Sequence, residues 1–243
     1  MTCSSKFYDR PESEKGVSVK RQISLFAWLL IIGVMLFLGA GGNTAGDWPL
    51  LVSADFEDGK AAGWKPNDPG HWRVVERDGS WVYELTAPGE QGKVRAPTSW
   101  SLIAGQEVSS FVFTGRMKCA ADPANDKRDL CVFFHFQDPT HFYYVHFSAS
   151  SDNAHNIIGL VNGADRVKIN LEPPGKSIFR LTDLEWHNFK VTYDAASGRV
   201  EAFLDDMDTP ILTAVDKTLA HGFVGVGSFD DTGCFDDIKL WGR

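Results

Sequence analysis

The chain has 243 residues, of which 43% are hydrophobic and 12% aromatic, enough apolar side chains to bury a sizeable core. Its formal net charge is −8, and from Gly46 onward nineteen basic residues stand against twenty-nine acidic ones. This balance excludes a nucleic-acid partner, because phosphate binding requires a basic surface.

The first part of the chain predicts export. Residues 1–21 form a basic leader that ends in Lys20 and Arg21, and residues 23–42 follow without a charge. A run of about 20 apolar residues can span a bilayer as a helix, and the positive flank predicts a cytoplasmic leader. Two interpretations of residues 22–46 remain open: a transmembrane signal anchor, which attaches the protein to the membrane through residues 23–42, or a cleaved signal peptide. Both predict that residues 47–243 lie outside the cytoplasm.

After residue 47, short alternating runs bounded by Gly, Pro, Asn and Asp predict strands and no long helix. Besides the segment 130–147, these runs cover residues 71–75, 80–85, 110–119, 156–161, 166–171, 186–193, 199–204, 222–229 and 234–241. About ten strands with regular turn signals predict an all-β fold, either a two-sheet sandwich or a jelly roll, in one domain over residues 47–243.

Residues 130–147 predict a β-hairpin. Two runs of aromatic and β-branched residues flank a tight turn that begins at Asp138 and Pro139. Strict alternation predicts two facing rows of side chains: Cys131, Phe133, His135 and Gln137 on the first strand, and Tyr144, His146 and Ser148 on the second. A face of this kind could hold a ligand.

Two cysteines flank the loop between neighbouring predicted strands. Cys119 ends one strand and Cys131 lies near the start of the next. In an oxidising compartment they could form a disulfide across the mouth of this hairpin. The spacing of the cysteines does not resemble that of a zinc site.

A series of short motifs is found in a characteristic order. They are residues 55–59 followed by Trp64, the strand start at Trp186 and His187, and residues 200–206, 222–227 and 235–240. Together they resemble the concanavalin A-like lectin/glucanase superfamily, and within it the laminin G-like domains and the 3-keto-disaccharide hydrolase domain, formerly of unknown function. The resemblance implies a two-sheet jelly-roll sandwich, here preceded by one hydrophobic helix, with a curved sheet on which many relatives hold sugars.

Three functions follow as expectations. The first is an extracytoplasmic carbohydrate-binding domain that acts on or near polysaccharide. The second is an enzyme of the 3-keto-glycoside hydrolase or lyase type, with His135 or His146 as general base and Tyr144 as proton donor. The third is a noncatalytic surface domain that binds protein partners. Glucanases of the superfamily carry paired acids in an E-x-D-x-x-E arrangement that this sequence lacks, so ordinary glycoside hydrolysis is not supported.

The candidate ligand site joins the hairpin to the loop that follows it. Imidazoles, amides, carboxylates and an aromatic ring are the groups that recognise sugar hydroxyls and the C–H face of a sugar. The candidates are His135, Gln137, Tyr144, His146, Asp152, His155 and Asn156. The alternative is that the histidines are satisfied within the fold and that the loop residues stabilise turns.

A second candidate site lies near the two ends of the domain. Alternation places Asp236 on one strand face with Cys234, Ile238 and Leu240, where a buried carboxylate needs a partner. A structural Ca²⁺ shared with Glu57 or Asp55 would supply one, since Ca²⁺ accepts several oxygen ligands in loose geometry. The alternative partners are an arginine or backbone N–H groups.

Tryptophans are the third feature. An aromatic platform for a sugar ring would use one or two of them, while most belong in the core. The candidates are Trp64, Trp72, Trp81, Trp100 and Trp186.

Overall fold

A computed structural model describes residues 48–172 and 179–243. They form fifteen strands and one turn of 3₁₀ helix at Pro69–His71. The strands are β1 (Leu50–Ala54), β2 (Trp64–Pro66), β3 (Trp72–Arg77), β4 (Ser80–Leu85), β5 (Ser99–Ile103), β6 (Phe111–Cys119), β7 (Asp129–Asp138), β8 (His141–Ser148), β9 (Ile157–Asn162), β10 (Val167–Lys168), β11 (His187–Asp194), β12 (Arg199–Leu204), β13 (Leu212–Val215), β14 (Phe223–Ser228) and β15 (Gly233–Gly242).

The strands build two antiparallel sheets, which confirms the predicted all-β sandwich. The eight-stranded sheet has the order β13-β12-β11-β6-β15-β4-β3, and β1 pairs with β15 beside β4. The seven-stranded sheet has the order β10-β9-β8-β7-β14-β5-β2. The predicted hairpin forms at its centre, with β7 and β8 joined through Pro139 and Thr140. Four strands that the sequence did not predict are β1, β2, β5 and β13.

The core between the sheets is aromatic. Fully buried rings from both sheets fill it, among them Phe111, Phe113, Phe134, Tyr143, Phe189 and Phe235. A second apolar cluster covers the other face of the seven-stranded sheet, which we call the outer face, and includes Phe133, Phe136, Phe142 and Tyr144. The seven-stranded sheet is therefore buried on both faces over much of its area.

A loop packs over this outer face. Residues 86–98 connect β4 to β5, and Val94 and Ala96 join the outer apolar cluster. The Arg95 N–H donates to Asp165 Oδ1 at 2.7 Å, and the Arg166 N–H donates to the Arg95 carbonyl at 3.0 Å. These bonds fix the 86–98 loop to the turn after β9.

A β-bulge at His135 changes the alternation predicted for β7. Phe133 and Phe136, three residues apart, both belong to the outer cluster, and His135 between them has φ of 45°. The His135 ring lies 4.4 Å from the Tyr193 ring, between the sheets. The prediction that His135 shares a face with Cys131 and Phe133 is therefore wrong, because a bulge inserts one residue and reverses the face.

The same correction applies to Asp236 in β15. Phe235 and Ile238 both pack in the core, and the intervening Asp237 has φ of 51°. Asp236 thus points away from the core, on the face opposite Ile238. The predicted face shared with Ile238 and Leu240 is therefore wrong, for the same reason as that of His135, although Asp236 is buried, at 1% exposed.

Cys119 and Cys131 are free thiols in the structure, as is Cys234. Cys119 packs between the two sheets, whereas Cys131 belongs to the outer cluster of the seven-stranded sheet. The predicted Cys119–Cys131 disulfide is not formed, because the two side chains lie in different layers of the sandwich.

The predicted leader and apolar segment, residues 1–46, lie outside the described residues. Within residues 48–172 and 179–243 we find no helix with the length and hydrophobicity needed to cross a bilayer.

Candidate functional site

An open cavity of about 510 Å³ lies at one end of the outer face of the seven-stranded sheet. Strands β2 and β5, the β7–β8 turn and the start of β14 surround it. Its lining residues are Lys65, Pro66, Asn67, Trp100, Leu102, Ile103, Ala104, Gly105, Phe136, Gln137, Asp138, Pro139 and Phe223.

Aromatic rings form the apolar part of this cavity. The half-buried Trp100 and the buried Phe136 have ring centroids 5.3 Å apart, and Phe136 stacks on Phe142 at 4.9 Å. Phe223 on β14 is partly buried in the same cluster. Such a surface can pack against the C–H face of a sugar ring or another flat apolar group.

The rim of the cavity is polar, and Asn67 at this rim bonds to the backbone of Trp100. Asn67 Oδ1 accepts from the backbone N–H of Trp100 at 3.0 Å, and Asn67 Nδ2 donates to the Thr98 carbonyl at 3.0 Å. Lys65 is exposed, and its ammonium has no hydrogen-bond or ion-pair partner among the residues that the structure describes. A donor with full positive charge is thus free at the rim.

Gln137 and Asp138 form the opposite side of the rim. Gln137 Nε2 donates to the His221 carbonyl at 3.0 Å, which holds the exposed side chain beside the cavity. Asp138 accepts from the Thr140 N–H at 2.7 Å and pairs with His141 at 2.9 Å. Although burial opposes it, these hydrogen bonds hold the pKa of Asp138 below its ordinary value. Asp138 is therefore ionised at neutral pH and can accept hydrogen bonds from hydroxyl groups.

Of the seven candidate ligand residues, only Gln137 lines this cavity. His135 is fully buried between the carbonyls of Leu219 and Ser109, at 2.9 and 3.2 Å from its ring nitrogens. Burial lowers the pKa of His135 to about 4, so the ring is neutral at physiological pH. This side chain supports the fold.

Tyr144 lies on the outer face, directly opposite Gly159 of β9. It is fully buried, and its hydroxyl has no hydrogen-bond partner among the described residues. Burial raises the pKa of Tyr144, so the phenol stays protonated.

His146 belongs to a buried polar network. His146 Nε2 lies 2.8 Å from Asp129 Oδ2, and Nδ1 donates to the Ala154 carbonyl at 2.9 Å. Asp129 Oδ1 accepts from Ser228 Oγ at 2.5 Å and from the Phe229 N–H at 2.9 Å. The serine contacts the carboxylate and not the imidazole, so these residues do not form the serine–histidine contact of a nucleophilic triad.

The loop candidates stabilise their own turn. Asp152 accepts from the N–H groups of Ala154 and His155, and its carboxylate pairs with the His155 ring at 2.9 Å. Asn156 is buried and bonds to Ser148 at the end of β8. The structure brings His155 close to His146, with ring centroids 5.5 Å apart, but neither residue lines the cavity.

At the second candidate site, Asp236 has an arginine partner. Arg116 donates to Asp236 Oδ2 at 2.5 Å, and Ser80 Oγ lies 3.3 Å from the same oxygen. Glu57 Oε1 accepts from Ser80 Oγ at 2.7 Å, so Ser80 links the two acids. Burial raises the pKa of Asp236 in spite of Arg116. The arginine alternative accounts for this buried carboxylate, and calcium at Glu57 and Asp236 stays a prediction.

Sequence reasoning included Trp100 among five tryptophans but did not distinguish it, and it missed Lys65, Asn67, Phe136 and Asp138. Strand β5 was not predicted because its five residues form a short run, in which the alternation of the two serines with Trp100 and Leu102 ends at Ile103. A usable signal was the dipeptide Pro66–Asn67, since asparagine in a connection often bonds to a nearby backbone.

Comparison with known proteins identifies the fold as a concanavalin A-like jelly-roll sandwich. Carbohydrate-binding module CBM66 from Bacillus subtilis has 17% identity and a TM-score of 0.51, covering 74% of this chain and 95% of the module. A glycoside hydrolase family 16 endo-glucanase from Bacteroides ovatus has 13% identity and a TM-score of 0.51, covering 78% of this chain and 99% of the enzyme.

The seed lectin of Lotus tetragonolobus has 11% identity and a TM-score of 0.50, covering 78% of this chain and 97% of the lectin. Identities this low show the shared fold alone. No protein-family profile and no curated protein matches the chain by sequence.

Proposed function

We propose that the sandwich domain binds a carbohydrate in the cavity at Trp100. The observation that carries the proposal is the combination of a half-buried tryptophan face with a polar rim in one open cavity. Sugar sites require both, because the ring C–H groups pack on an aromatic face while the hydroxyls need donors and acceptors.

Solved structures with this fold support the proposal. Their names describe a carbohydrate-binding module, a lectin and a glucanase, so the fold carries sugar sites in several proteins. Because one fold hosts several functions, the argument for this chain rests on its cavity.

The lining of the cavity favours binding over hydrolysis. Glycoside hydrolysis usually requires two carboxyl groups on either side of the scissile bond. Among the described residues that line the cavity, Asp138 is the single carboxylate. The proposed base and acid of a 3-keto-glycoside enzyme, His135 or His146 with Tyr144, are buried away from it.

We further propose that the domain works outside the cytoplasm. The support is the basic leader that ends at Arg21, followed by the uncharged residues 23–42. The segment would either anchor the domain to the membrane or be removed during secretion.

Substitution of Trp100 with alanine tests the binding proposal. The full-length chain is screened against an array of neutral and acidic glycans, and calorimetry measures the dissociation constant for each hit. Loss of the aromatic face should weaken binding by about tenfold or more, since stacking and burial of such a face contribute about 1.5–3 kcal/mol.

Trp81→Ala is the matched control, because Trp81 is also exposed, at 38%, but lies on β4 of the other sheet. It should bind the glycan as the wild type does. Absence of binding across the array, or equal binding by Trp100→Ala and Trp81→Ala, would overturn the proposal.

A further inference from the structure

A second cluster of functional side chains lies at the other end of the hairpin, outside the cavity. Asp129 and Cys131 share one face of β7, and His146 pairs directly with Cys131 from β8. One oxygen of Asp129, the sulfur of Cys131 and one nitrogen of His146 all lie within 4.8 Å of one another. The three side chains are buried, with exposed fractions of 2% or less.

His146 and Asp129 are in direct contact within the cluster. Nδ1 faces the Ala154 carbonyl at 2.9 Å, and a carbonyl only accepts, so Nδ1 carries a hydrogen. The second ring nitrogen, Nε2, faces Asp129 Oδ2, 2.8 Å away. A proton lies between these atoms when the two residues form an ion pair, and a divalent cation could replace it, because metal binding releases the protons of its ligands.

The surroundings of the cluster have the arrangement that orients metal ligands. A histidine ligand commonly donates its second ring N–H to a carbonyl, and a carboxylate ligand is itself hydrogen-bonded. Here Ala154 holds the histidine, and Ser228 Oγ and the Phe229 N–H hold Asp129 Oδ1. Asp129 Oδ2 and His146 Nε2 are therefore held in contact with each other, at 2.8 Å.

Charge also favours a cation. Oxygens of Asp230 and Asp231 lie within 4.8 Å of an Asp129 oxygen and of each other. The Asp129 N–H donates to Asp231 Oδ2 at 2.9 Å. A bound divalent cation would offset part of this negative charge.

We propose that Asp129, Cys131 and His146 bind one divalent cation of the zinc type. A thiolate, an imidazole and a carboxylate form a ligand set suited to Zn²⁺, whereas Ca²⁺ prefers oxygen ligands alone. The Cys131 sulfur has no recorded hydrogen-bond partner within the described part of the chain, so it is free to ligate. The site is separate from the cavity at Trp100 and from the predicted calcium site at Glu57 and Asp236.

The buried position indicates a structural role for the cation. The ring of Phe229 lies 5.7 Å from that of His146, and the guanidinium groups of Arg95 and Arg166 stack on Phe229 at 4.6 and 4.5 Å. Arg95 belongs to the 86–98 loop, so the cation would stabilise the position of this loop over the outer face.

The test uses the full-length chain after removal of metal with a chelator and titration with Zn²⁺ or Co²⁺. We expect one equivalent of metal to bind, and Co²⁺ to give the near-ultraviolet absorption band of thiolate-to-cobalt charge transfer. The melting temperature should rise with Zn²⁺, because a ligand that binds only the folded state stabilises it.

Cys131→Ser should weaken Zn²⁺ binding by about tenfold or more, by analogy with the loss of other ligand-shell contacts. Cys234→Ser is the control, because Cys234 is also a buried free thiol but lies on β15 of the other sheet. Two results would overturn the proposal. The first is a wild-type chain that shows no thiolate band with Co²⁺, which would mean that Asp129 and His146 share a proton only. The second is equal Zn²⁺ binding by Cys131→Ser and Cys234→Ser. The cobalt spectrum of the wild type decides the question even where Cys131→Ser fails to fold.

Discussion

Replacing Asn156 with alanine separates a structural role from a ligand contact. Asn156 precedes β9, is 3% exposed and has φ of 50°. Its Oδ1 accepts from the Ser148 N–H at 2.8 Å. Its Nδ2 lies 3.0, 2.8 and 3.0 Å from the carbonyl oxygens of Ser148, Ser150 and Phe179. We therefore expect Asn156→Ala to destabilise the fold and to leave glycan binding at the Trp100 cavity unchanged.

The magnitude follows from two losses. The Ser148 N–H, at a fully buried residue, is left without its acceptor, which costs about 1–3 kcal/mol. Alanine is also disfavoured at a left-handed φ, by about 1–2 kcal/mol. The Ser148 carbonyl loses less, because it keeps the Leu181 N–H as a donor. Together the free energy of unfolding should fall by about 2–5 kcal/mol.

Chemical denaturation of the full-length chain measures this change, with Asn156→Gly and Asn153→Ala alongside. Glycine removes the hydrogen bonds but tolerates the positive φ, so Asn156→Gly should be less destabilising than Asn156→Ala. Asn153 is exposed in the same loop, and its substitution should change stability by less than about 0.5 kcal/mol. The reasoning is refuted if Asn156→Ala unfolds like the wild type but no longer binds glycan.

Two further predictions concern His187 and Gly159. Burial alone would lower the pKa of His187, but hydrogen bonds to Asp205 and Asp183, at 2.8 and 2.9 Å, raise it above its ordinary value of 6.5. The two ion pairs of protonated His187 therefore stabilise the fold fully below pH 6.5, and this stabilisation is lost as pH rises through the higher pKa of His187 in the folded state. The melting temperature of His187→Gln should fall furthest below the wild type in mildly acidic buffer, and the difference should shrink at alkaline pH. A melting-temperature difference that does not depend on pH would contradict this prediction. The control is His221→Gln, because the His221 side chain is exposed. Gly159→Ala would place a methyl group into the Tyr144 ring and should cost about 1–3 kcal/mol in a denaturant titration. Gly92→Ala should leave the stability unchanged, because no atom lies within 4 Å of the new carbon. Equal stability of the two variants would contradict the packing argument.

The sequence predicted the strands of the sandwich well where one strand face is polar. Runs such as residues 80–85 and 199–204 match β4 and β12 at both ends. Strands β2 and β13 are only three and four residues long, so they provide too few positions to establish a period of two. Strand β5 alternates its two serines with Trp100 and Leu102, but this pattern covers only four residues.

The site was harder to predict than the fold. The hairpin was correctly identified, but the histidines that made it conspicuous have backbone or carboxylate partners inside the protein. Composition shows which polar groups are available and not which of them are already satisfied. The cavity instead depends on Trp100, Phe136 and Lys65, which come from three strands far apart in sequence. Their proximity follows from the strand order β7-β14-β5-β2, which sequence reasoning did not determine.

One residue with a positive φ determines the chemistry of the cavity. With regular alternation along β7, His135 and Gln137 would follow Phe133 on the outer face, and Phe136 would point between the sheets. The bulge turns His135 into the core, where it contacts Tyr193, and places Phe136 beside Trp100. A polar row is thereby exchanged for an aromatic surface with Gln137 and Asp138 at its edge. A non-glycine residue at φ of 45°, such as His135, is uncommon. The bulge at His135 lies next to the cavity, which agrees with the tendency of bulges to direct side chains at functional sites. The aromatic face on which sugar binding is proposed therefore exists because the strand breaks its own alternation at His135.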